Sequence, residues 1–363
     1  MKIKPIAIHL PQFHPFPEND EWWGKGFTEW TNVTKAKPLF PGHYQPHLPA
    51  DLGFYDLRLE EARLAQIALA KEYGIYGFCY YHYWFNGKRL MHEPLDRMLA
   101  NKKEDFPFML CWANENWTRR WDGIEEVLIE QKYSESDNEE HIKFLCEHFF
   151  SDKRYIKINN KPFISIYRPN LIPNIKKLVE FWDKACKKFG FNGIYIAYMM
   201  TEGYSEDPKN IGFDASIEFK PDFHSNPIHK KENILKKILS KLNLYHSPYS
   251  KNQIIEYRSF VEHQLNLNPV TWKNFKGITP MWDNSARRKL GSAFILANST
   301  PSIYQFWLEE LIKLLKNSDD NDAFIFINAW NEWAEGNHLE PCSKWGLAYL
   351  EATKKALDSE NAY

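Results

Sequence analysis

Glu332 and Glu335 stand three apart in the stretch NAWNEWAEGNHLEP, residues 328–341, directly after the apolar run Ala323 to Ile327. On an extended strand that spacing sends two side chains to opposite faces, whereas on a helical turn it sets them side by side, with Cβ atoms about 5–6 Å apart. Retaining glycosidases hold their two carboxyl groups roughly 5–5.5 Å apart, and inverting ones need several ångströms more to admit a water. Crowding also drives the two pKa values apart, so that one acid keeps its proton while the other is ionised. The spacing therefore suits acid–base work on a glycosidic bond. The plainer alternative is that both acids open a helix, where they complement the positive end of its dipole. The company of Trp330, Asn331 and Trp333 favours the chemical reading, and Gly336 lets the chain turn sharply afterwards.

Such a pair needs a scaffold that delivers it to a cleft. Short runs rich in β-branched and aromatic residues predict strands at Ile3 to Leu10, Tyr76 to Trp84, Phe106 to Ala113, Pro162 to Arg168, Gly193 to Met200, Ala215 to Phe219, Gly277 to Trp282 and Phe324 to Ala329. Most alternate with helical patterns such as LRLEEARLAQIALAKEYG, NIKKLVEFWDKACKKFG and PSIYQFWLEELIKLLKN, the first two with a glycine stop. Strand and helix in turn, eight times, predict an α/β fold of (β/α)8 TIM-barrel type. The whole chain, residues 1–363, reads as one barrel domain with long βα loops and an inserted segment around 220–270. Inside that insertion, HKKENILKKILSKLNLY at 229–245 reads as a solvated basic helix in preference to a membrane-surface helix.

Composition narrows the partners. The 46 basic and 47 acidic residues nearly cancel, which gives no field suited to a nucleic-acid backbone. Five Cys at irregular spacing include no CxxC pair, no export signal is legible at the N-terminus, and no run approaches a membrane span; a cytoplasmic protein without an integral membrane segment is expected. Aromatics make up 16% of the chain, and WWGKGFTEW, FCYYHYWF, CWANENWTRRW and NAWNEW each mix them with polar residues. A ligand with apolar faces and many hydroxyls, an oligosaccharide or polysaccharide, suits such clusters.

In a barrel of this kind, functional groups gather at the carboxyl ends of the strands. Candidates there are His9, Gln12 and His14 after the first strand, Tyr81 and His82 at the second, and Trp112, Asn114, Glu115 and Trp117 at the third. Arg168 follows the fourth, Trp282 and Asp283 the seventh, and Trp330, Asn331 and Trp333 surround the acid pair at the eighth. Glu115, set between two Asn, is a reserve acid, although the nearby Arg119 and Arg120 also fit an ion pair. His9, His14 and His82 lack the spacing of a metal site and read better as hydrogen-bonding groups, so no metal and no cofactor is expected. Asp283, with Arg287 or Arg288, fits a structural bridge and a grip on an acidic sugar equally. The stretch GKGFTEWTNVTKAKPLFPGHYQPHLPADLGFYD contains no phosphate loop and reads as a long lid, with Trp22, Trp23, Glu29 and Trp30 on its inner side.

Five blocks carry a family resemblance: LPQFHPFPENDEWWGKGFTEWTNV, YGFCYYHYWF, CWANENWTRRWDG, MWDNSARR and NAWNEWAEGNHLEP. Together they resemble the WbsX-type proteins of bacterial surface-polysaccharide gene clusters, a group described as glycoside hydrolase family 99-like. Family 99 consists of endo-acting α-mannosidases and α-mannanases, retaining enzymes on a (β/α)8 barrel without a metal, with the motif Asn-Glu-Trp-His-Glu. The resemblance implies that Glu332 is the base acting on the sugar's own 2-hydroxyl and Glu335 the general acid/base; Ala334 stands where the hydrolase motif has His. WbsX proteins have also been described as glycosyltransferases. The expectation is a glycosidase acting on a surface glycan, with a transferase of O-antigen or lipopolysaccharide biosynthesis as the alternative and a non-catalytic glycan-binding barrel as the third.

Overall fold

The computed structural model describes residues 3–118, 126–227, 238–239, 252–288, 291–316 and 323–359. The described chain forms eight parallel strands: β1 (Lys4–His9), β2 (Gly77–Phe85), β3 (Phe108–Trp112), β4 (Lys161–Ile166), β5 (Tyr195–Met200), β6 (Ala215–Glu218), β7 (Asn274–Ile278) and β8 (Phe324–Ile327). Each pairs with the next, and β8 returns to β1 with Lys4 opposite Phe324 and Ala7 opposite Ile327, so the sheet closes into a barrel. Nearly every strand residue is buried, as expected where a parallel sheet is enclosed between an interior and a layer of helices.

Aromatic side chains fill the interior. Phe163 of β4 lies 5.5 Å from Phe275 of β7 and 5.9 Å from Phe324 of β8 between ring centroids. Strands four places apart in a closed sheet of eight can meet only through its middle, so these rings plug the barrel. Each such ring, fully buried, contributes about 1.5–3 kcal/mol.

Two short helices, α1 (Pro17–Trp23) and α2 (Glu29–Lys35), stand in the long loop after β1. The outer layer is built from α3 (Glu60–Glu72), α4 (Glu93–Ala100), α5 (Glu135–Phe144), α6 (Ile175–Lys188), α7 (Tyr257–Leu265), α8 (Pro301–Lys316) and α9 (Ala348–Asp358). α3 and α6 end just before Gly74 and Gly190, both at positive φ, as the sequence predicts. Between β6 and β7 the described part of the insertion is a short strand, Gln253–Glu256, paired with Phe294–Ala297, followed by α7. Apart from Ile238 and Leu239, the basic stretch 229–245 lies outside the described residues, as do Arg119 and Arg120. No helix among the described residues is long and apolar enough to cross a membrane.

The seventh strand differs from expectation. It runs over Asn274–Ile278 and stops before Thr279, whose hydroxyl donates to the Met281 carbonyl at 2.8 Å. The apolar residues Met281 and Trp282 are buried in the loop beyond the strand, and their burial, not an extended ladder, explains the apolar run there.

Candidate active site

A cavity of about 1290 Å³ opens at the carboxyl ends of the strands, and the segment following each of the eight, or its last residues, contributes to the wall. Gln12 comes from the β1 loop, Tyr81 and Tyr83 from β2, Asn114, Glu115 and Trp117 from beyond β3, and Arg168 from beyond β4. Glu202 follows β5, Phe219 follows β6, Trp282 and Arg287 follow β7, and Glu332 and Glu335 follow β8.

Local structure explains how both acids reach it. Trp333–Glu335 forms one 3-10 turn with Glu332 just before it, and in that geometry positions three apart nearly eclipse one another. Asn331 and Glu332 pair antiparallel with His338 and Asn337, which closes the loop into a tight hairpin around the turn. Gly336 ends the turn at φ 54°, where a Cβ would lie 2.9 Å from the Asp283 carbonyl oxygen. That close approach allows the Asp283 amide to donate to the Glu335 carbonyl at 2.7 Å, which fastens the β7 loop to the β8 loop. Gly336→Ala is therefore expected to destabilise the fold by about 1–3 kcal/mol. The checks are a lower urea midpoint and reduced turnover of the folded fraction.

Arg287 holds the acids together. Its Nη2 donates to Glu332 Oε2 at 2.9 Å and its Nη1 lies 3.1 Å from Glu335 Oε1. The same Nη2 lies 3.1 Å from Oε2 of Glu29, at the start of α2, so one guanidinium joins carboxylates from two other loops. The side chains of Glu29, Arg287 and Glu332 are 0%, 7% and 7% exposed, against 22% for Glu335, the most accessible of the four. Burial raises Glu332 to about 8; Arg287 opposes the shift, and Glu335 and Glu29 add to it. Glu335 is also raised, again chiefly by burial. The two titrate as a pair, which retains a proton at neutral pH. Burial likewise pushes the hydroxyls of Tyr81, Tyr83 and Tyr167 well up, so they face the acids as neutral hydrogen-bonding groups.

The remaining expected residues divide by which side of the backbone they occupy. Gln12 is fully buried on the cavity wall, and neither atom of its amide has a partner among the described residues. That side-chain amide can hydrogen-bond a polar group or water entering the cavity. Asn114 clamps Arg168 by accepting from its backbone N–H and donating to its carbonyl, both at 2.8 Å. Arg168 in turn bonds Glu115 at 2.6 Å and lies 3.0 Å from Glu202. Glu115 is thus both a wall residue and an ion-pair partner. Trp282 lines the cavity edge-on to Phe223 at 5.3 Å, and Trp117 lines it from the side of β3.

Others serve the scaffold and lie outside the cavity wall. His9 contacts Gln66 at 3.1 Å, and burial lowers its pKa to about 4; His14 bonds the Pro11 carbonyl and is lowered to about 4 for the same reason. His82 points the opposite way from Tyr81 and Tyr83, meets His141 at 3.0 Å and is lowered to about 3 by burial. Trp112 stacks on Trp182 behind the barrel wall. Trp30 packs against Trp333 and donates to the Tyr55 carbonyl. Asp283 accepts from Gln45 and contacts His43 at 2.6 Å, so it bonds these two, whereas the Arg287 guanidinium lies on the glutamates; burial would raise it, but the His43 hydrogen bond holds it below its ordinary value. Trp330 is fully buried. Asn331 accepts from the Leu10 amide at 2.7 Å and donates to its carbonyl at 3.0 Å, imitating one rung of a β-ladder. Trp333 stacks on His338 at 3.8 Å and donates to Glu340 at 2.6 Å. Most of the polar and aromatic density of NAWNEWAEGNHLEP is therefore bracketing that presents Glu332 and Glu335.

Sequence reasoning did not single out Glu202, Tyr133, Phe223 or Asn284, which also line the cavity. Nor did it set Arg287 at the centre, although the tandem arginines in MWDNSARR, just beyond a strand end, were the available signal.

Comparison with known proteins places this geometry in context. The family model described as "Glycosyltransferase WbsX" matches residues 5–353. The "Uncharacterized protein WxcX" of Xanthomonas campestris pv. campestris is 40% identical over 355 residues, covering 97% of this chain and 49% of that protein. The chain thus spans about half the length of that curated relative. Among solved structures, the GH99 endo-alpha-mannosidase from Bacteroides thetaiotaomicron superposes with a TM-score of 0.59 at 13% identity, covering 99% of this chain and 97% of that one. A "Glycoside hydrolase-like protein" superposes with a TM-score of 0.59 at 12% identity, covering 98% and 94%. These likenesses are of fold: a TIM-barrel-like α/β architecture. By the extent of its match to the family model and its identity to WxcX, the chain belongs to the WbsX family, a family of carbohydrate-active enzymes.

Proposed function

We propose that this chain is a retaining glycosidase acting on a bacterial surface or mannan-like glycan through Glu332 and Glu335. The observation that carries the reading is the Glu332–Arg287–Glu335 arrangement: one buried and one partly exposed acid on the two terminal nitrogens of one guanidinium, at the wall of a cavity roomy enough for several sugar rings. Acceptors on one guanidinium stay close together, which favours the short retaining separation of roughly 5–5.5 Å over the inverting one.

In this reading Glu332, as carboxylate, takes the proton of the sugar's 2-hydroxyl, and that oxygen attacks the anomeric carbon. The glycosidic C–O bond breaks, and Glu335 gives its proton to the departing oxygen. Glu335 then accepts a proton from water as the water opens the 1,2-anhydro sugar, and Glu332 returns its proton to O2. The configuration is retained, and the cycle starts with one proton on the pair. Gln12 and the tyrosines supply hydrogen bonds, and Trp282 and Trp117 offer apolar faces to the rings.

A second reading, transfer from a nucleotide-sugar in surface-polysaccharide assembly, draws on the family's description as a glycosyltransferase. Incubation with bacterial surface polysaccharides and mannans separates the two. Reducing ends released without any nucleotide-sugar support hydrolysis, whereas turnover that begins only when nucleotide-sugar is added overturns it. A pH profile adds an expectation. Because the pair's proton affinity is raised, activity should persist at neutral pH and fall at alkaline pH, where the pair loses the one proton that Glu335 donates. A profile flat to pH 10 would contradict the assignment of the acid.

A further inference from the structure

We propose that Glu29, in the loop after β1, is a positioning residue that sets the proton affinity of the Glu332–Glu335 pair through the guanidinium all three share. The inference rests on the reading of that pair as the reacting acids.

Glu29 opens α2 and is wholly buried, with its carboxylate 3.1 Å from Arg287 Nη2, the nitrogen that also serves Glu332 at 2.9 Å. It does not line the cavity, so it acts behind Arg287 and out of reach of a bound sugar. A buried carboxylate is expensive unless paired, and a Gln of the same shape would avoid the charge. What the charge does here is divide Arg287. Three carboxylates draw on one cation, and each leaves the other two less neutralised, so the pair binds a proton more tightly with Glu29 ionised than without it.

Among the described residues, the groups facing the pair are Arg287 and Arg288 from the β7 loop, Glu29 from the β1 loop, Tyr81 and Tyr83 from β2, and Tyr167 beyond β4. Burial is the largest influence on both acids, with the charge of Glu29 acting in the same direction and that of Arg287 against it. α2 carries Glu29 in the loop after β1, and Trp30 packed against Trp333 anchors that helix with the Glu29 carboxylate beside Arg287.

The test reads the proton and not the reaction. In full-length protein labelled with 13C at the glutamate side-chain carboxyl, the resonances of Glu332 and Glu335 are assigned from Glu332→Gln and Glu335→Gln and titrated in wild type, Glu29→Gln and Glu29→Asp. Glu29→Gln should lower the pH at which the pair releases its proton by about one unit, a tenfold loss of proton affinity. Glu29→Asp, which draws the charge back by one methylene, should move it the same way by a smaller step. Unchanged titration in either folded variant overturns the proposal, as does a Glu29→Gln chain that no longer folds, since Glu29 would then be a structural residue. If the pair proves not to react with glycans, the titration still answers for Glu29, and the two failures remain distinct.

Discussion

Glu335→Gln is expected to lower turnover about 10²–10⁴-fold while leaving the fold intact, because it removes the proton donor and keeps the shape. Glu335 is the more exposed of the two acids, and Arg287 still bonds Glu332 when Glu335 is neutral, so little stability is at stake. A specific signature follows from the roles. A substrate with a good leaving group, such as an aryl glycoside, needs little help from an acid, so Glu335→Gln should retain far more activity on it than on a natural glycan. Glu332→Gln should lose both alike, since the base is needed whatever departs. Steady-state kinetics on the two substrate types for both variants check this, and equal losses for Glu335→Gln would place the acid elsewhere, with Glu115 next in line.

Arg287→Met should have the largest effect on stability. It leaves the buried carboxylates of Glu29 and Glu332, and the partly exposed one of Glu335, without their shared cation, and breaking a buried ionic cluster on one side typically costs about 3–5 kcal/mol. The sign with pH follows from the direction of the shifts. Glu332 and Glu335 already have raised folded-state pKa values, and removal of Arg287 raises them further. Groups of this kind destabilise the fold as they ionise. The deficit of Arg287→Met should therefore be greatest at alkaline pH and shrink as pH falls toward the ordinary glutamate value of about 4.3. Urea melts at pH 5 and pH 9 measure it, and a deficit that is constant or grows toward acid would contradict the account. Arg287→Lys should recover only part, because an ammonium lacks the planar fork that serves two acids at once.

The barrel was legible because parallel strands buried on both faces leave continuous apolar runs, of which Phe324 to Ile327 is the cleanest. The seventh strand was displaced because burial in a loop leaves the same apolar trace, as at Met281 and Trp282. The acid pair was readable from its spacing together with the company of Trp330, Asn331 and Trp333 at a strand end, since a helical turn brings residues three apart together. The supporting residues were harder. Side chains alternate along a strand, so Tyr81 and Tyr83 face the cavity while His82 between them turns outward to His141. Polarity near a strand end also has two causes, a ligand or the loops' own internal bonding, and Asn331, on the Leu10 backbone, and Trp333, on the Glu340 side chain, answer to the second. Arg287 and Glu29 are distant in sequence from each other and from the pair, and only folding brings them together around a single charge.

The most direct test is a crystal structure of Glu335→Gln with a bound oligosaccharide. The account predicts one sugar ring with its anomeric carbon between Glu332 and residue 335, its 2-hydroxyl on Glu332 and a hydroxyl on the Gln12 amide. A glycan seated only along Glu115, Arg168 and Glu202, with Glu332 untouched beside Arg287, would contradict it.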